Sequence, residues 1–154
     1  MQFSVRRALI GDEPVLRALR LQALTDSPGA FGSTYERELA RTAEDWRRWL
    51  APGVTFILEA GGEPRGLVAG SRDPNDFSVV HLMAMWVHPD LRGTGAADAL
   101  VSSVKVGLAK WVRRRSVSTS SRATTVLDDA TNAPVFAPPA VEAWSSELGM
   151  SKLK

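Results

Sequence analysis

Apolar and polar residues alternate from Phe3 to Ala8, the two-residue period of a half-buried strand. Gly11-Asp12 then predicts a turn, with Asp12 as an N-cap and Pro14 suited to the first helical turn. Val15, Leu16, Leu19 and Ala23 fall on one helical face, and Asp26-Ser27-Pro28-Gly29 breaks that helix. Ala30 to Glu36 leads into a second helical region. Thr42 and Asp45 approximate a capping box, and Trp46, Trp49 and Leu50 share a face. Val54 to Ala60 and Gly66 to Ser71 predict two strands, with Gly61-Gly62-Glu63-Pro64 as a hairpin turn between them. Asp73-Pro74-Asn75-Asp76 predicts a further turn. Phe77 to Val87 predicts the longest strand, and Gly95 to about Trp111 a helix. The order is β-α-α-β-β-β-α.

A chain of 154 residues, 44% hydrophobic and 23% charged, fits one globular domain. The absence of cysteine excludes disulfides, thiolate metal ligands and a cysteine nucleophile. Two histidines, His81 and His88, are too few for a typical histidine metal site, so no metal is expected. No apolar run is long enough to span a bilayer, and the opening MQFSVRRAL is too polar for a signal peptide. The expected location is cytoplasmic, with no membrane partner. Arg113, Arg114, Arg115 and Arg122 cluster late in the chain. No aromatic residue interleaves them, so they read as a solvated face rather than a nucleic-acid surface.

Chemistry concentrates after the apolar run Leu82 to Val87. That run meets a turn at Pro89, then Arg92, Gly93 and Gly95, then an alanine-rich helix. A strand that feeds a small-residue loop opening a helix is suited to phosphate. Glycines allow close approach to the backbone, and the helix N-terminus offers free N–H groups and a positive dipole end. Arg92 adds a charge-assisted donor. No Gly-Lys-Ser/Thr follows and Gly-x-Gly-x-x-Gly is absent, so neither a Walker A loop nor a dinucleotide fingerprint is present.

Arg92-x-x-Gly95-x-Ala97 resembles the pyrophosphate loop of the GNAT N-acetyltransferases, Gln/Arg-x-x-Gly-x-Gly/Ala. Leu19 to Leu24 and Ala30 to Glu36 look like one common subgroup of that family, and the resemblance covers Met1 to about Ala109. It implies an α+β (α/β) fold with a mixed, mostly antiparallel central sheet flanked by helices. It also implies transfer of the acetyl group of acetyl-CoA to a primary amine of a small molecule or protein. The cofactor would lie where strands four and five splay. There Met85, Trp86 and Val87 would pair with the pantetheine arm through their backbone, and Arg92, Gly93, Thr94, Gly95, Ala96 and Ala97 would hold the pyrophosphate. For the base, the candidates are His81 on strand four and Glu36, which with Tyr35 falls on the acceptor side. A half-buried structural histidine and a solvated glutamate remain the plainer readings of both. Dimerisation is common in the family and has no signature here, so a homodimer stays open.

After Ala109 the resemblance stops. The family continues with a splayed fifth strand and then Asn-x-x-Ala-x-x-x-Tyr-x-x-x-Gly-Phe. This chain instead has Arg113 to Ser121 and then Val135-Phe136-Ala137-Pro138-Pro139-Ala140, a composition suited to a loop or disordered segment. Tyr35 is the only tyrosine. Two accounts of the break over about Lys110 to Ala143 stay open, a displaced reading frame, which is the expected one, and a true, divergent C-terminal half. Thr119 to Ala137, back-translated and read from its third base, gives VVEGNDRARRRYERAGF, which restores the family's asparagine, tyrosine and Gly-Phe in order. The first two bases of most codons are fixed by the residues and dictate most of that string. Glu147 to Lys152 again looks like a family terminal strand, so the frame would be restored before it. As written, the chain lacks the tyrosine that protonates the leaving thiolate in the family. The alternative function is therefore a catalytically impaired acetyl-CoA-binding or interaction module.

Overall fold

The first strand, β1 (Phe3–Arg7), lies antiparallel to β2 (Val54–Ala60). The computed structural model describes residues 2–50, 53–120 and 151–153. Between β1 and β2 run α1 (Glu13–Asp26), a 3₁₀ turn (Pro28–Ala30), α2 (Tyr35–Leu39) and α3 (Ala43–Leu50). Then come β3 (Glu63–Arg72), β4 (Val80–Val87), a second 3₁₀ turn (Pro89–Leu91), α4 (Ala96–Ser120) and β5 (Ser151–Leu153). The strands lie in sequence order, and every described pair is antiparallel.

Local chemistry explains most boundaries. Ala60 pairs with Glu63 across Gly61 and Gly62, whose φ values of 62° and 81° suit the two-residue hairpin. Thr42 Oγ1 accepts from Asp45 N–H at 3.2 Å, and Asp45 Oδ2 accepts from Thr42 N–H at 2.8 Å, so the capping box opens α3. Asp12 holds the N-cap position of α1 without a side-chain cap bond. Its carboxylate instead accepts two bonds of 2.9 Å from Arg6 and one of 2.8 Å from Leu9 N–H.

Three predicted spans change. β3 begins at Glu63 rather than Gly66 and runs on to Arg72, because Glu63 and Pro64 already pair with Ala60 and Glu59 and leave only Gly61 and Gly62 to turn. β4 begins at Val80 rather than Phe77, because Asp76 Oδ1 accepts from Ser78 N–H and Val79 N–H bonds back to Asp76 C=O. β3, with 10 residues, is therefore the longest of the described strands. α4 continues to Ser120, past the expected end near Trp111 and through the arginines read as a loop. No Gly or Pro interrupts that stretch, and arginine is a good helix former. The rest of the segment for which a displaced frame is expected, residues 121–143, lies outside the described residues.

The sheet is covered on both faces. Leu16, Leu19 and Ala23 of α1 and Trp46 and Trp49 of α3 pack with Ile57 and Leu67. On the other face Leu100, Val104 and Leu108 of α4 pack with Leu58 and Val68. Neighbouring residues of β2 and of β3 thus point to opposite layers, as strand periodicity requires. α4 lies close because Gly70 has no side chain. A Cβ built there would stand 2.2 Å from Val104 Cγ1.

Candidate active site

β4 is bulged where the resemblance places the cofactor arm. Leu67 pairs with Trp86 and Ala69 with Met83, so Ala84 and Met85 stand together opposite Val68. Ala84 has φ 53°, the one non-glycine residue with positive φ among those described. The alternation breaks there. Met83 and Ala84 both face the layer of the first three helices, Met85 turns towards α4, Trp86 returns, and Val87 joins α4. β5 pairs with β4 only from Val80 to Leu82. The outer side of Met83 to Val87 has no strand partner among the described residues. A fifth strand placed directly after α4 would fall outside the described residues.

Past Val87 the chain makes its 3₁₀ turn, buries Leu91 and enters the glycine loop. Gly93 and Gly95 have φ of 76° and 86°, and no atom stands within 4 Å of a Cβ built on either. Thr94 is tied back by its hydroxyl, which donates to Leu91 C=O at 2.6 Å. The N–H groups of Gly93 and Gly95 find no acceptor among the described residues. Ala99 N–H to Gly95 C=O, 3.1 Å, is the first bond of α4. Helix geometry therefore leaves the N–H groups of Ala96 and Ala97 open. Open space, left-handed glycines and free N–H groups at a helix start fit a pyrophosphate.

Arg92 points elsewhere. Its Nε donates to Val87 C=O at 3.1 Å, and its guanidinium pairs with Asp26 at the end of α1. Asp26 Oδ2 also accepts from Trp86 Nε1 at 3.0 Å and from Ser27 Oγ at 2.7 Å. These bonds, Trp86 first, then Ser27 and Arg92, hold the Asp26 carboxyl down at about 2. Asp26 lines a cleft of about 450 Å³, walled by α1 from Ala18 to Asp26, by Tyr35 and by Trp86, His88 and Pro89.

The two base candidates stand apart from this cleft. His81 is buried near the start of β4, where Nε2 donates to Asp73 Oδ2 at 2.9 Å and Nδ1 has no partner. That bond, and those from the backbone N–H groups of Asn75 and Asp76, keep the Asp73 carboxyl below its ordinary range. Glu36 is exposed on α2, next to Tyr35 in sequence but outside the cleft lining. Among the described residues no group of three or more His, Cys, Asp or Glu could hold a metal. No described helix is long and apolar enough to cross a membrane.

Sequence reasoning missed Ala84 and Asp26. Ala84 sits in an unbroken apolar run, which carries no bulge signal. Asp26 read only as a helix breaker. Its signal was an acid in a last helical turn that has no basic residue, against the helix dipole.

Residues 20–136 match the model of the acetyltransferase (GNAT) family. None of the curated protein sequences compared matches the chain. Solved structures share the fold at low identity. An aminoglycoside acetyltransferase from an uncultured soil metagenomic sample is 15% identical with a TM-score of 0.57, over 86% of this chain and 99% of that one. The aminoglycoside acetyltransferase AAC(6')-Iy, bound to a bisubstrate analogue, is 18% identical with a TM-score of 0.51, over 86% and 100%. A GCN5-related N-acetyltransferase from Ralstonia eutropha JMP134 is 14% identical with a TM-score of 0.53, over 86% and 99%. Matched by the family model over most of its length, the chain belongs to the GNAT acetyltransferase family.

Proposed function

We propose that the protein transfers the acetyl group of acetyl-CoA to a primary amine of a small molecule or protein, by direct attack of the amine. One observation carries this reading: a bulged β4, whose outer side from Met83 to Val87 has no strand partner among the described residues, runs straight into an open glycine loop at a helix start. Acetyl-CoA supplies an activated thioester. Met85, Trp86 and Val87 offer backbone N–H and C=O groups to its pantetheine arm, as an edge strand does for an added strand. Gly93, Gly95, Ala96 and Ala97 hold the pyrophosphate through N–H groups, and Thr94, whose N–H and hydroxyl both donate to Leu91 C=O, shapes the loop around it. A β4 backbone N–H also donates to the acyl oxygen as charge develops there. Arg92 contributes by setting the loop against α1 through Asp26. His81, oriented by Asp73, is the proposed proton acceptor, with Glu36 as the second candidate.

Gly95→Val tests the cradle directly. A β-branched residue at φ 86° is strained, and its side chain would enter the open space. Calorimetry should show acetyl-CoA affinity falling at least ~10-fold, the loss of roughly one charge-assisted bond. Unchanged affinity would remove the reading.

A second reading, a cofactor-binding module without turnover, is favoured by Tyr35 being the only tyrosine in the chain. An intact mass and peptide map across residues 110–143 separates the two. Peptides of the displaced frame go with acetyl-CoA consumption by amines. Peptides of the sequence as written go with binding and slow turnover, since a general acid contributes about 10²–10⁴-fold.

A further inference from the structure

α1 ends on an acid where its own dipole disfavours one. Asp26 is the last residue of the helix, and its last turn carries no basic residue. The carbonyl end of a helix attracts cations and repels carboxylates. Three donors offset that cost, and all reach the same oxygen. Trp86 Nε1, Ser27 Oγ and the Arg92 guanidinium converge on Oδ2. Oδ1 accepts no hydrogen bond among the described residues. The side chain is 24% exposed and faces the 450 Å³ cleft. One oxygen is therefore fixed, by residues of β4, of the glycine loop and of the helix end, while the other is left without a donor among the described residues. The surroundings suit a cation as well. Among the described residues no Lys or Arg lines the cleft, the Arg92 guanidinium reaching Asp26 from the loop side, and the rings of Trp86 and Tyr35 do line it.

We propose that Asp26 Oδ1 binds a cationic nitrogen of the acceptor, and that this nitrogen is not the one acetylated. The proposal rests on the acetyl-transfer reading above. A carboxylate beside an ammonium favours its charged form, whereas the attacking amine must be neutral. The Asp26 carboxyl, held at about 2 chiefly by the Trp86 bond, is too weak a base to remove the proton. The nitrogen on Asp26 thus stays protonated and anchors the acceptor, one indole ring away from the β4 backbone. A second, neutral nitrogen of the same molecule is then free to attack. The acceptor class is a diamine or polyamine.

Putrescine and 1,4-butanediol have the same chain length, and only putrescine carries ammonium groups. We would titrate each by calorimetry, with CoA present, into the wild-type protein, Asp26→Asn and Thr25→Lys. Thr25 is exposed on the same wall, so Thr25→Lys brings a cation beside Asp26 without entering the core. The wild-type protein should bind putrescine at least ~10-fold more tightly than the diol, and both variants should lose that gap. Thr25→Lys should keep the wild-type melting temperature, which guards against misfolding as the cause. Equal or undetectable binding of the two compounds to the wild-type protein overturns the proposal. So does a putrescine preference that survives either substitution. A preference that both variants abolish, without acetyl-CoA consumption in the presence of putrescine, supports the cation site and removes the acetyl-transfer reading.

Discussion

Ala84 keeps φ at 53° although it is buried and not glycine. A left-handed conformation costs an L-residue about 1–2 kcal/mol. Ala84→Gly should relieve that strain and offset the usual entropic cost of glycine in a strand, about 0.5–1 kcal/mol. Urea unfolding should show stability unchanged or raised by up to ~1 kcal/mol. Ala69→Gly, one strand away in ordinary β conformation, should lose about 1 kcal/mol. Asp26 makes a second residue-scale prediction. Its carboxyl is lowered from 3.8 to about 2, so its bonds to Trp86, Ser27 and Arg92 stabilise the folded chain above about pH 4. That contribution should fade as pH falls through about 2. Asp26→Asn should remove this part of the acid unfolding profile followed by tryptophan fluorescence. For the base, His81→Asn should lower kcat/KM by about 10²-fold or more without weakening acetyl-CoA binding.

At the scale of elements, a capping box and a missing side chain make complementary predictions. Thr42→Ala removes the acceptor for Asp45 N–H and should cost about 1 kcal/mol, a drop of roughly 2–4 °C in melting temperature. Gly70→Ala should cost about 1–3 kcal/mol, because its Cβ would collide with a stiff β-branched side chain. Placing Gly70→Ala in a Val104→Ala background should recover at least ~1 kcal/mol of that loss in a double-mutant cycle. These elements also show what was legible in advance. The capping box, the Gly-Gly hairpin and the bounds of β2 were written in local residue chemistry, and the structure keeps them. The start of β4 was not, because Phe77 to Val79 look like strand residues while the Asp76 side chain turns the chain there. The end of α4 was misread because serine, threonine and arginine together resemble a loop, yet nothing in them breaks a helix.

At the scale of the whole molecule, two helical layers enclose one antiparallel sheet, and the glycine loop lies where the α4 layer begins. The loop could be found from sequence because it is contiguous. The cleft could not. Asp26, Trp86 and Arg92 meet across 60 and 66 residues of chain, and no spacing rule announces that meeting. The bulge in β4 has a consequence for colloidal behaviour as well. A straight edge strand with free peptide groups is a template on which another copy can stack. Between Met83 and Val87, where β4 has no outer partner among the described residues, the kink at Ala84 bends that template out of register. Deleting Ala84 should straighten the edge and restore an even alternation along β4. Purified protein carrying that deletion should scatter light and sediment as large particles at concentrations where the parent chain stays clear.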